Sequence, residues 1–271
     1  MKCSSVLSYY FKNFFYILLF AIIPAVYIGL LLRPFSMFET LYEYPTLTLN
    51  TFAEFFYAVY SYTWWQWLLL LGGLVLLFIF ASMLIGKIEA HFRTGKFDLG
   101  WHNSRGLNYN LIEISKALIL MLIASLIINL LTILLMFLTH FILSINGIMT
   151  TTGVVFVWII GVLNILLQAR VSTYFMLAGL DSIIMGSPYT VALGNASLAI
   201  AKNFWEIFFA ELVPFAFAVL ITVLGSFLGI TWLTNIISIL VLFPYIAILG
   251  MVNIFDYYGI TRYDNRKYYL R

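Results

Sequence analysis

Read for hydropathy alone, the chain alternates long apolar runs with short polar borders. Six of the runs reach the roughly 20 residues that a bilayer-crossing helix needs. They fall at about 14–33, 66–87, 116–140, 153–176, 207–229 and 232–255. Each run is continuous, whereas a membrane β-barrel shows short segments of alternating polarity. A helical span satisfies its backbone polar groups internally, as lipid demands. The pattern predicts an all-α integral membrane protein, a single bundle over residues 1–271: six transmembrane helices as three hairpins, plus short interfacial helices.

The borders carry a pattern of their own. Lys12-Asn13-Phe14-Phe15-Tyr16-Ile17 leads into the first run and Lys202-Asn203-Phe204-Trp205-Glu206-Ile207 into the fifth, each with a proline, Pro24 or Pro214, eleven residues after the asparagine. A fainter copy, Asn110-Leu111-Ile112-Glu113-Ile114, opens the third run without the proline. Internal duplication accounts for the resemblance, and so does the polar-then-aromatic border common to helices that enter a membrane from the cytoplasm.

Composition agrees with a lipid environment. The chain is 63% hydrophobic and 9% charged, where soluble domains carry about 25% charged residues. The first run contains Pro24 and lacks a small-residue cleavage site, so it reads as a span rather than a secretory signal. The single cysteine, Cys3, excludes an internal disulfide and a thiolate metal cluster. Net charge is +3, spread over the borders, which is no footprint for nucleic acid. With six spans, 13 of the 14 Lys and Arg residues fall on one side and only Arg33 on the other. The positive-inside rule then predicts a multi-pass protein of the cell membrane with both termini cytoplasmic.

Residues 34–65 form the one sizeable outer segment. Thr51 and Glu54 have capping-box spacing, predicting an interfacial helix that ends at the aromatic anchor Trp64-Trp65-Gln66-Trp67. Gly72, Gly73, Ala81, Ser82 and Gly86 suit close approach to the second span. Asn146-Gly147 predicts a tight turn between the third and fourth. Ser187-Pro188 predicts an N-cap with proline at the first helical position, opening a second interfacial helix over about 188–200. Pro24, Pro214 and Pro244 read as simple kinks. Gly225 and Gly229 read as a turn or packing within the chain rather than a dimer face.

Candidate chemistry is sparse. A carboxylate inside a spanning helix costs a few kcal/mol unless it is paired, protonated or facing water. Glu211, about one turn inside the fifth span, therefore points to the bundle interior. Arg170, towards the same end of the fourth span, is its expected partner. Asn164 and Gln168, four apart and so on one helix face, are expected to line the same interior, and Asn129 lies near the middle of the third span. These five residues make either a packing pin or a functional polar site; Asn129 reads as interhelical glue. His91, His102, Glu89 and Asp98 match no compact ligand spacing and read as a solvated loop, and His140 as an outer-interface residue. No nucleotide-binding, metalloprotease, hydrolase or CxxC motif is present. No cofactor, metal or catalytic residue is expected, and no soluble stretch is long enough for a catalytic domain.

The Asn-aromatic-aromatic-x-Ile borders, the Ser187-Pro188 stretch before Lys202, and Phe243-Pro244-Tyr245 with Asp256-Tyr257-Tyr258 resemble bacterial six-helix membrane families. The nearest is the membrane domain attached to some glycerophosphodiester phosphodiesterases, with its stand-alone relatives. That resemblance implies a six-helix bundle of hairpins, often without enzymatic activity of its own. The chain has no phosphodiesterase domain, so no catalytic residue carries over. The expected function is a non-catalytic membrane scaffold or permease-like subunit, with the bilayer and a protein such as a transporter ATPase subunit as partners, and no nucleic acid. The alternative is a self-contained transporter or lipid-handling protein built around Glu211 and Arg170.

Overall fold

The computed structural model describes residues 2–32, 54, 63–96, 107–145 and 150–264. Its elements are helical throughout: α1 (Lys2–Lys12), α2 (Phe14–Tyr27) running into a π-helical turn (Ile28–Leu32), α3 (Trp64–Thr94), α4 (Leu107–Ile145), α5 (Thr150–Met185), α6 (Tyr189–Lys202), α7 (Phe204–Leu228) and α8 (Thr231–Tyr257). Six helices are long and apolar enough to cross a membrane, as expected: α2 with its π-turn, α3, α4, α5, α7 and α8.

Three of them overrun their expected ends. The helices α3, α4 and α5 have 31, 39 and 36 residues, where roughly 20 suffice. Residues 88–94, 107–115 and 177–185, expected outside the spans, are helical. Hydropathy marks where lipid is the solvent; a helix continues past that point wherever packing supports it. A left-handed glycine stops α3: Gly95 has φ 71° and donates its N–H to the His91 carbonyl at 2.8 Å.

The last helix is the hub. Every residue of α8 from Leu242 to Phe255 is buried, and 78% of its apolar window lies inside the protein, against 17% for α4. A helix enclosed on all sides must be apolar all round, and α8 contacts α1, α2, α3, α5 and α7. Two features bring neighbours close to it. Pro24 cannot donate to the preceding turn, and the π-turn that follows places Gly29 so that a Cβ there would lie 2.9 Å from the Ile236 backbone. A Cβ on Gly225 would meet the Thr234 hydroxyl at 1.9 Å, and Gly229 takes φ 69° at the end of α7. This glycine pair therefore shapes the α7–α8 turn within the chain. All three helices with internal prolines continue through them.

Among the described residues, two short helices lie beside the long ones. The helix α1 buries Val6, Tyr9 and Tyr10. Its Lys2 ammonium reaches Asn253 and lies 3.9 Å from Asp256, so the start of α1 meets the end of α8. The helix α6 falls where the second short helix is expected but starts one residue later. Pro188 has ψ 142°, which makes it the N-cap residue, and the Ser187 hydroxyl turns instead to Asp181 at 2.9 Å. The interfacial helix expected after Thr51 and the turn at Asn146-Gly147 lie outside the described residues, as do His102 and Asp98.

Candidate functional site

Arg170 on α5 and Glu211 on α7 meet: Nη1 is 2.9 Å from Oε1, with the carboxylate side chain only 2% exposed and the arginine 25%. Phe204 and Phe208 stack beneath the guanidinium at 4.8 and 5.8 Å from their ring centres. A ring face attracts a cation, most strongly where water is excluded. Thr173, one turn beyond Arg170, is fully buried beside the pair. The approach is ionic rather than directional, since neither Glu211 oxygen accepts an aligned hydrogen bond.

The amides form a separate assembly on another face of α5. Asn164 Nδ2 donates to Asn129 Oδ1 at 3.0 Å and to Thr132 Oγ1 at 2.9 Å. Gln168 Nε2 donates to the same Asn129 oxygen at 2.9 Å and to the Ser125 carbonyl at 3.0 Å. The expectation that Asn164 and Gln168 share the Glu211 interior is thus corrected. At about 100° per residue, Gln168 lies about 40° around the helix from Asn164, whereas Arg170 lies about 160° from Gln168. The amides consequently tie α5 to α4, and the arginine reaches α7.

Between α5 and α7 runs a cleft of about 400 Å³ lined by Val162, Ile165, Leu166, Leu212, Ala216 and Leu220 among others, all apolar. One turn away along each helix, Arg170 follows Leu166 and Phe208 precedes Leu212. The guanidinium lies 5.8 Å from the Phe208 ring centre.

The sequence reading missed the burial of His91, Glu113 and Asp181. His91 is helical and nearly buried rather than part of a solvated loop, with its Nδ1 2.8 Å from the Tyr9 hydroxyl. Glu113 is 6% exposed and pairs with Lys116 at 2.7 Å. Asp181 is fully buried and accepts from Ser187 Oγ and Asn195 Nδ2 at 2.9 and 3.0 Å, fixing the corner between α5 and α6. The signal for Asp181 was its place on a helix that outlasts its apolar run. At the start of α1, burial pushes the Lys2 ammonium below its ordinary value, against the attraction of Asp256 and Glu206. Among the described residues no three His, Cys, Asp or Glu side chains gather as metal ligands.

No known protein family, no curated protein and no solved structure matches this chain.

Proposed function

We propose that the chain is a multi-pass integral protein of the cell membrane, with both termini cytoplasmic and three helical hairpins, that serves as a non-catalytic scaffold or permease-like subunit of a transport assembly. The supporting observation is how its interior polar groups are spent. Asn129, Asn164 and Gln168 are consumed in tying α4 to α5, and Glu211 is held against Arg170. Polar side chains used this way join helices, whereas a self-contained solute path needs them facing water. Cross-linking in native membranes followed by purification and mass spectrometry tests the reading. Recovery of a nucleotide-hydrolysing partner supports it; solute uptake by the purified chain alone in proteoliposomes overturns it. Reporter fusions at the two ends must both report the cytoplasm.

A second reading, a lipid-handling protein, rests on the apolar cleft between α5 and α7 beside the Arg170–Glu211 pair. A photoreactive acyl chain that labels Ala216 or Leu220 and transfers between vesicles only when the protein is present would favour it.

A further inference from the structure

The two best-matched sequence borders fold alike. In each, a short surface helix (α1 or α6) ends at a lysine, an asparagine breaks it, and a long apolar helix (α2 or α7) departs. Asn13 has φ −112° and ψ 18°, and Asn203 φ −128° and ψ 39°. Each asparagine carbonyl accepts the N–H four residues on, from Ile17 at 3.0 Å and Ile207 at 3.1 Å. The side chains that follow point outward in both copies: Phe15 is 82% exposed and Trp205 67%, with Leu19 and Phe209 exposed one turn further on. Lys12 and Lys202 stand exposed above them. Among the described residues neither lysine forms an ion pair. The Lys202 ammonium only faces the Tyr257 ring at 5.4 Å.

A cation with no ion-pair partner among the described residues, set directly over exposed aromatic and aliphatic side chains, is complementary to a headgroup phosphate with its acyl chain below. We propose that each corner binds an anionic phospholipid of the inner leaflet, with the phosphate on Lys12 or Lys202 and a chain along Phe15–Leu19 or Trp205–Phe209. The first corner binds more tightly, because Tyr16 stands where the second has Glu206. This assignment goes beyond the transport reading and rests on the bilayer placement and orientation given above.

Native mass spectrometry of the full chain in detergent, with phosphatidylglycerol and phosphatidylcholine supplied at equal concentration, tests it. The wild type is expected to retain phosphatidylglycerol preferentially. Lys12→Gln is expected to reduce that preference about five-fold, the effect of one basic residue at an anionic surface, and Lys202→Gln by less. Lys96→Gln, a basic residue outside both corners, leaves it unchanged. Soluble glycerol phosphate gives no adduct, since it has no chain to lie along the aromatic residues. Equal retention of the two lipids, or a preference that survives Lys12→Gln with Lys202→Gln, overturns the proposal. Retention of no lipid at all also overturns the proposal, while fractionation with carbonate-washed membranes reads the bilayer placement separately.

Discussion

Glu211 is the residue on which the interior depends most, because a buried carboxylate is tolerated only while its counter-charge stays in reach. Removing one member of a buried pair costs about 3–5 kcal/mol, whereas replacing both with apolar side chains is often close to neutral. Arg170→Met should therefore destabilise the bundle strongly, and Arg170→Met with Glu211→Met should recover most of the loss in reversible detergent unfolding. If the double variant is no more stable than the single, the pair is not coupled. Asn129 belongs to the same scale. Its one oxygen accepts from both Asn164 and Gln168, and membrane hydrogen bonds contribute roughly 0.6 kcal/mol each on average. Asn129→Leu should then cost about 1 kcal/mol and loosen α4 from α5, read as faster hydrogen exchange on both helices. The sequence pointed to these residues because polar groups in apolar runs are conspicuous. It could not assign them to one site or two, because hydropathy gives depth along a helix while partners depend on which helix lies across from each face.

At the scale of the element, helices were legible and their ends were not. The apolar run of α3 has a clear beginning, yet the helix carries on through His91 because Tyr9 and the neighbouring helices cover that turn. The central place of α8 was equally hidden: its composition resembles that of the other long helices, and only packing encloses it. Gly29 gives a direct test. A Cβ there lies 2.9 Å from the Ile236 backbone, whereas one on Gly72 meets nothing within 4 Å. Overpacking against backbone costs about 1–3 kcal/mol, so Gly29→Ala should lower the unfolding midpoint clearly. Gly72→Ala should be neutral or slightly stabilising, since alanine favours helix over glycine. Equal effects from the two would argue against the close approach of the π-turn to α8.

For the whole molecule, the meeting of the start of α1 with the end of α8 has a consequence in pH. Lys2 is partly buried against Asn253 and Asp256, and its folded-state pKa lies below the ordinary 10.5. Between those two values the unfolded chain binds the proton more than the folded one, so stability rises with pH across that alkaline window. Lys2→Met should flatten the rise when unfolding is followed up to pH 10.5; an unchanged slope would place its cause elsewhere. Hydropathy and charge placement by themselves determined the helical class, the number of long apolar helices and the residues able to meet as Arg170 and Glu211, because the free energy of putting a group into lipid depends mainly on the group itself. Tertiary structure alone decided that α8 is the hub, that the amides and the ion pair part company around α5, and that His91, Glu113 and Asp181 are covered. Each of those depends on which faces of which helices meet, and many arrangements of the same six apolar rods satisfy lipid equally well.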